Sequence, residues 1–174
     1  MNVKNAIKER KSIRKFKEKS ISNSLIKEVI DAARKAPSSH NLQPWNFVVV
    51  KDKKKILEFE ENDIFIQKEM YKTPVIIVCC VDDNPYSKHS NRKLEIAMNF
   101  INLSLASAFL VLRATELGLG TCYVAWCNKE KIKKLLNIPK EVIVPYVIVM
   151  GYPAENPSPT NRKKLSEIMH FEKW

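Results

Sequence analysis

A short basic stretch near the N-terminus, "RKSIRKF" at residues 10–16, contains residue types that can bind an anion. Arg10, Ser12 and Arg14 occupy alternate positions, so an extended backbone presents their side chains on one side. Guanidinium groups grip phosphate in a fixed geometry, and each charge-assisted hydrogen bond contributes about 1.5 to 3 kcal/mol. The stretch therefore predicts a phosphate-binding turn. For this heptapeptide taken alone, a solvated basic turn is the alternative.

A second polar segment, "PSSHNLQPWNF" at residues 37–47, is a poor helix and a poor strand. Pro37 fixes the local backbone at low entropy cost, while Ser38, Ser39 and Asn41 offer short hydrogen-bonding side chains. Such a segment can place donors and acceptors accurately beside a ligand.

The elements of the first half follow from hydrophobic spacing and from residues that begin or end helices. Ser22 can cap a helix whose apolar residues recur with helical spacing as far as Ala33, before Pro37 stops it. Trp45 and Phe47 stand where a strand begins, and we expect their rings to anchor the chain in the core. The predicted elements are a helix at Val3–Glu9, the Ser22-capped helix, a strand at 46–51, one or two helical segments over 53–71, and a buried strand at 74–81 followed by the turn "DDNPYS" at 82–87.

A long helix dominates the second half. From about Asn91 to Leu117 the sequence has few charges in its middle, which predicts burial on nearly all sides, and Gly118 is placed to end the helix. The remaining predicted elements are a short strand or extended loop at 121–126, a helix at 129–136, a strand at 142–151 and an extended tail at about 153–174. This order predicts an α+β fold in which helices flank a small sheet.

Length and composition predict a single domain spanning residues 1–174, of which 45% are hydrophobic. The runs "PVIIVCCV" and "VIVPYVIVMGY" are shorter than the roughly 20 residues of a membrane-spanning helix, and the N-terminus lacks a signal peptide's apolar stretch. We therefore expect a cytoplasmic protein that does not act at a membrane, with four reduced and mostly packed cysteines. His89 and His170 show no metal-ligand spacing, so we predict no metal.

The chain is strongly basic, because 30 Lys and Arg against 19 Asp and Glu give a net charge of +11. Such a charge attracts phosphates of any kind, including those of nucleic acid. The lysines are nevertheless spread along the chain, and no nucleic-acid-binding motif is present. A basic polyanion-binding protein is a remote alternative, and we predict no nucleic-acid partner.

Four segments together resemble the nitroreductase family of flavin-dependent oxidoreductases. They are "RKSIRKF", "PSSHNLQPWNF", "ELGLGTCYVAW" at 116–126 and "RKKLSEI" at 162–168, in the family's order and approximate spacing. The resemblance implies an α+β sandwich with a mainly antiparallel central sheet, which works as an intertwined homodimer. It also implies two FMN molecules at the dimer interface, each contacted by both chains.

The resemblance implies a role for each candidate site residue. Arg10, Ser12 and Arg162 are expected at the flavin phosphate and ribityl chain. Arg14 is expected at the pyrimidine edge, where its charge stabilises the negative charge left by two-electron reduction. The backbone of Ala125 and Trp126 is expected at flavin N5. The expected cofactor-binding residues are Arg10, Lys11, Ser12, Arg14, Pro37, Ser38, Ser39, Asn41, Ala125, Trp126, Arg162 and Lys163.

The resemblance also implies contacts with the partner subunit and with the electron acceptor. The 37–45 segment is expected to serve largely the flavin of the partner subunit, and the tail at about 153–174 to contact that subunit. His40 is expected to border the acceptor pocket, with a solvated or hydrogen-bonded spectator as the alternative. We expect the side chain of Lys11 to point away from the cofactor.

The implied activity is an FMN-dependent oxidation of NAD(P)H. Hydride passes from the nicotinamide to flavin N5, and a nitroaromatic or quinone-type acceptor is then reduced in the same pocket. In this ping-pong cycle the protein supplies orientation and electrostatics, and no side chain acts as a catalyst. The alternative is the same fold with another flavin activity, such as dehalogenation, flavin reduction or flavin binding with little turnover.

Overall fold

The computed structural model describes residues 1–82 and 92–174. Its helices are α1 (Val3–Glu9), α2 (Asn23–Ala33), α3 (Lys53–Glu61), α4 (Arg92–Glu116) and α5 (Lys129–Leu136). Its strands are β1 (Trp45–Val50), β2 (Val75–Val81), β3 (Gly120–Val124) and β4 (Ile143–Gly151), and short 3-10 helices lie at Ser39–Asn41, Lys68–Tyr71 and Leu165–Glu167. Residues 83–87 of the predicted turn lie outside the described residues, and so does His89.

The helix boundaries follow capping residues that are visible in the sequence. The Ser22 hydroxyl accepts a hydrogen bond from the Leu25 N–H at 3.3 Å, which confirms the predicted cap of α2. Asp52 and Asn128 cap α3 and α5 in the same way. Gly118 follows α4 with a φ of +75°, a left-handed conformation that glycine adopts without steric cost.

The four strands form one antiparallel sheet in the order β1-β2-β4-β3. Strand β2 lies inside the sheet, and all seven of its residues are buried. Their side chains alternate between the two faces, so the neighbouring thiols of Cys79 and Cys80 belong to different core clusters. The four cysteines are unpaired and buried.

One core cluster lies on each face of the sheet. On the first face, α2 and α4 pack over the sheet, and Trp45 is buried among them with Phe47 partly buried beside it, which confirms their predicted anchoring role. On the second face, α3 and α5 contribute Phe59 and Ile132 to the core. The helices therefore flank a small sheet, and the predicted α+β architecture is confirmed.

Helix α4 is buried on one side only, so the prediction of burial on nearly all sides is wrong for the single chain. Leu103, Ala106 and Leu110 are buried, whereas Ile101, Leu105 and Phe109 are 51%, 39% and 40% exposed. The physical reason is that α1, α2 and the sheet pack against other parts of the helix, and no described element covers these three side chains.

One stretch of α4, Ile96–Glu116, is long and apolar enough to cross a membrane by length and composition, with a mean hydropathy of 1.6. The core helix of a globular protein meets the same criterion, and α4 contributes a full face to the first core cluster.

Candidate anion-binding cleft

The arginine turn, residues 10–16, is extended and lies along the edge of the sheet. The Ile13 N–H donates to the Thr121 carbonyl of β3 at 2.9 Å, and Ser12 forms a parallel bridge with Thr121. Further along, Phe16 bridges Pro153 just after β4. The backbone conformation needed to present alternate side chains on one side is therefore present, as predicted.

Two glycines allow the arginine turn to approach the sheet this closely. A Cβ atom at Gly120 would lie 2.7 Å from Ile13, a distance that real side chains do not tolerate. A Cβ atom at Gly151 would lie 2.7 Å from Phe16. Both glycines are thus required by steric contact with the turn.

The arginine turn and the C-terminal tail enclose a cleft of about 490 Å³. Arg10, Ser12 and Arg14 line it from the turn, and Arg162 lines it from the tail, so the structure brings the predicted phosphate ligands together. None of the described lining residues is acidic. The lining residues are Ile7, Lys8, Arg10, Lys11, Ser12, Arg14, Pro157, Ser158, Pro159, Thr160 and Arg162.

Of the two lysines predicted to bind the cofactor, one lines the cleft and the other does not. Lys11, whose side chain we expected to point away, lines the cleft, and its Nζ donates to Asn156 Oδ1 at 2.8 Å. Lys163 is exposed and is not among the lining residues. Arg162 donates from Nη1 to Thr160 Oγ1 at 2.8 Å, a contact that orients its guanidinium within the tail.

The tail is tied to the arginine turn by the carboxylate of Glu155. Its Oε1 accepts hydrogen bonds from the Arg14 N–H at 2.6 Å and from the Lys15 N–H at 3.1 Å. The bond from Arg14 is the largest of the effects that hold the pKa of this carboxyl below its usual range, against the opposing effect of desolvation.

Cys122 of β3 lies under the arginine turn. Burial raises the pKa of its thiol, and the Arg14 charge and a hydrogen bond with the Ser12 side chain oppose that rise. The thiol therefore stays protonated and serves as packing beneath the turn.

The polar loop, residues 37–44, does not line this cleft within the same chain. His40, Asn41 and Gln43 have φ values of 52°, 55° and 48°, so the loop holds three non-glycine residues in the left-handed region. The Ser38 hydroxyl accepts from the Gln43 N–H at 3.0 Å, which tightens the loop. Such a concentration of strained backbone is typical of functional loops.

Ala125 and Trp126 follow β3 in a loop held by several backbone contacts. The Ala125 carbonyl accepts from Lys129 Nζ at 2.6 Å and from the Cys127 N–H at 3.1 Å. The Trp126 side chain is 74% exposed. The loop therefore presents a large aromatic ring to solvent at the end of the edge strand.

A protein-family model matches most of the chain. The model of the family described as "Nitroreductase family" matches residues 7–152, which includes the arginine turn, the polar loop and the whole sheet. The chain belongs to the nitroreductase family. It is thus an oxidoreductase by family, and the fold described above is the nitroreductase fold.

Relatives match the chain over nearly its full length. A protein of Methanothermobacter thermautotrophicus, provisionally named NADH dehydrogenase/NAD(P)H nitroreductase, is 34% identical over 100% of this chain and 88% of its own length. The NADH dehydrogenase of Thermus thermophilus is 26% identical over 97% of this chain and 95% of its own. The crystal structure of a nitroreductase family protein from Clostridium novyi NT is 30% identical, with a TM-score of 0.78 over 100% of this chain and 95% of its own.

The structure shows two residues at these segments that the sequence did not lead us to expect, Glu155 and Asn102. Glu155 carries no local signal, because its partners Arg14 and Lys15 lie about 140 residues away along the chain. Asn102 is buried in α4 and accepts the Ser39 N–H at 3.2 Å, tying the polar loop to that helix. A signal for Asn102 did exist, since an amide inside an apolar helix needs a buried partner.

In the described residues, no group of three His, Cys, Asp or Glu side chains is arranged to hold a metal ion. The cleft is lined by cationic and hydroxyl side chains, which suit an anion.

Proposed function

We propose that this protein is an FMN-dependent NAD(P)H oxidoreductase that acts on nitroaromatic or quinone-type acceptors. The observation that carries the proposal is the cleft in which Arg10, Ser12 and Arg14 meet Arg162. Guanidinium groups from two remote segments converge on one space, which suits a phosphate dianion. The names of the relatives, which refer to NADH and NAD(P)H, support the electron donor.

The cleft fits the phosphate end of FMN in size and in charge. Its volume of about 490 Å³ lies within the range of small-molecule sites. The Arg14 guanidinium makes only a 3.5 Å contact with the Ser12 carbonyl, and in the described part of the chain it has no ion pair. Its charge is therefore available to an anionic ligand.

The polar loop and the exposed side of α4 support assembly as a homodimer. The loop of Pro37, Ser38, Ser39 and Asn41 lies away from the cleft of its own chain, so we propose that it serves the cleft of a partner subunit. The uncovered residues Ile101, Leu105 and Phe109 on α4 supply an apolar surface for that association.

The C-terminal tail offers a second apolar contact surface. Five large apolar side chains beyond the cleft are exposed, and we propose that they pack on the partner subunit. They are Leu165, Ile168, Met169, Phe171 and Trp174. We also propose that residues 1–174 act as a single cytoplasmic domain.

The chain's own groups would orient the reactants without a catalytic side chain. When bound, FMN supplies two-electron hydride chemistry between NAD(P)H and the acceptor. We place Arg14 at the pyrimidine edge of the ring and the backbone N–H groups of Ala125 and Trp126 at N5. We further propose that the exposed Trp126 ring limits the acceptor pocket on one side and that His40 borders it.

Anaerobic reduction of the purified protein tests this function. We expect a yellow preparation whose flavin absorbance bleaches with NADH or NADPH, each added separately, and returns on mixing with a nitroaromatic or a quinone. Bleaching without reoxidation by either acceptor would favour another flavin activity, such as dehalogenation or reduction of free flavin. A colourless protein that binds no added FMN would contradict the proposal.

A further inference from the structure

Glu155 joins the two ends of the chain at the cleft without lining it. It follows β4 and reaches the arginine turn, which precedes α2, so one carboxylate links segments about 140 residues apart. We propose that Glu155 is a positioning residue that holds the arginine turn in its anion-binding conformation, so that cofactor affinity depends on a carboxylate that does not touch the cofactor. The inference rests on the proposed function, because it concerns the same cleft.

The contacts of Glu155 act on the backbone that orients the arginines. Its Oε1 accepts the consecutive N–H groups of Arg14 and Lys15 at 2.6 and 3.1 Å. Fixing two consecutive peptide groups fixes the direction of the Arg14 side chain, and through the extended backbone that of Arg10 and Ser12. A carboxylate accepts such bonds about twice as strongly as a neutral group.

In the described part of the chain, the other hydrogen bonds between the two segments around the arginine turn and the start of the tail have neutral acceptors. The Ala154 N–H donates to the Lys15 carbonyl at 2.9 Å, and just outside both segments the Lys17 N–H donates to the Tyr152 carbonyl at 2.8 Å. Lys11 Nζ donates to Asn156 Oδ1 at 2.8 Å. These contacts set the tail beside the turn, and Glu155 adds the one acceptor among them that carries charge.

The Glu155 carboxylate accepts hydrogen bonds from backbone N–H groups, so the guanidinium groups of the arginines remain able to bind a ligand. The charged and titratable groups facing Glu155 are Arg14 and Lys15 of the turn and Cys122 of β3. A carboxylate bound to the guanidinium of Arg14 would compete with a phosphate, whereas this arrangement stiffens the cleft without occupying a ligand donor.

The first test needs no cofactor. Amide hydrogen exchange is measured on the full-length protein stripped of flavin, as wild type and as the Glu155→Gln variant. We expect the Arg14 and Lys15 amides to exchange at least about tenfold faster in the variant, because charge-assisted bonds become neutral ones. Unchanged exchange at these two amides would overturn the inference even if the protein proves to bind no flavin.

The second test measures FMN affinity by fluorescence titration of the same stripped proteins. We expect Glu155→Gln to weaken FMN about tenfold, and Glu155→Asp, which keeps the carboxylate, to weaken it less. If the near-isosteric Gln variant binds FMN better than the Asp variant, the side chain acts by shape and the inference is wrong. Failure of wild type itself to bind FMN would instead count against the proposed function.

Glu167→Gln is a matched control. Glu167 is also a tail carboxylate that accepts a backbone N–H, from Lys164 at 2.7 Å, but it does not line or support the cleft. We expect this variant to keep wild-type FMN affinity and wild-type exchange at Arg14 and Lys15. An equal loss of affinity in the control would show that any lost tail charge has the same effect, and would overturn the specific role of Glu155.

Discussion

At the scale of single residues, the proposed function gives the arginines of the cleft two different roles, phosphate binding for Arg10 and Arg162 and tuning of the flavin ring for Arg14. Arg10 and Arg162 come from opposite ends of the chain and line the same space. Arg14 lines it from the far end of the turn, two residues beyond Ser12. The two roles predict different consequences of substitution.

The Arg10→Ala, Arg162→Ala double variant is expected to fold and to lose FMN. Removing two charge-assisted contacts of about 1.5 to 3 kcal/mol each should weaken FMN by at least about a hundredfold. The measurement is a fluorescence titration with FMN, with circular dichroism to check folding. The Arg34→Ala, Lys53→Ala variant removes the same charge at exposed positions away from the cleft and should retain FMN. Full flavin occupancy in the first variant would remove the phosphate assignment.

The Arg14→Gln variant is expected to keep much of its FMN but to lower the flavin's midpoint potential by tens of millivolts. A charge roughly 4 Å away at an effective dielectric constant of about 20 is worth about 4 kcal/mol before solvent reorganisation. Even a quarter of that corresponds to about 20 mV for a two-electron couple. Spectroelectrochemical titration measures the shift. An unchanged potential together with lost FMN would mean that Arg14 only grips the cofactor.

At the scale of elements, the position of the arginine turn depends on the edge strand β3. Gly120 lets the turn lie against the strand, because any side chain there would meet Ile13. Gly118 differs, since its φ of +75° needs glycine although the space around it is open. A substitution at Gly120 therefore tests the placement of the arginine turn, and a substitution at Gly118 tests the stability of the C-terminal end of α4.

Gly120→Ala is expected to cost about 1 to 3 kcal/mol of folding stability and to weaken FMN binding, since the turn must move off the strand. Gly118→Ala is expected to cost about 1 kcal/mol through left-handed strain while leaving FMN affinity unchanged. Urea unfolding and FMN titration measure the two effects. Equal FMN affinities in both variants would show that the turn is not held by its contact with β3.

At the scale of the whole molecule, the uncovered side of α4 is an apolar surface left exposed by the described part of one chain. Ile101, Leu105 and Phe109 recur every four residues, so they lie along one side of the helix. Covering them would also bring a second chain to the helix that holds the polar loop through Asn102.

Leu105→Glu is expected to convert a homodimer into monomers, because a charge in an apolar interface is costly to bury. The monomers should bind FMN more weakly, since the polar loop could no longer reach a partner's cleft. Light scattering gives the oligomeric state and fluorescence titration gives the affinity. Leu57→Glu on α3 replaces a leucine that is 53% exposed and should remain dimeric. A wild-type protein that is monodisperse as a monomer with one FMN would contradict the proposed assembly.

Much of the fold could be read from the sequence because its signals are local. The Ser22 cap, the helical spacing of α2 and the left-handed Gly118 each depend on residues within a few positions. The apolar run of β2 predicted a strand buried on both faces, and all seven residues are buried. Alternate spacing indicated that an extended backbone would present Arg10, Ser12 and Arg14 on one side, whereas their roles at the cofactor were expected from the family resemblance.

Contacts between remote segments could be decided only by the tertiary structure. Arg10 and Arg162 were expected to meet only through the family resemblance, and the bonds from the Arg14 and Lys15 amides to Glu155 were not expected at all. Both contacts depend on how β3 and β4 bring the two chain ends to one sheet edge. Local spacing carries no information about such meetings, because they result from packing the whole chain. The same limit explains the wrong prediction for α4. Its apolar composition indicates that both sides of the helix are to be buried, but composition does not show whether the atoms that cover them belong to the same chain.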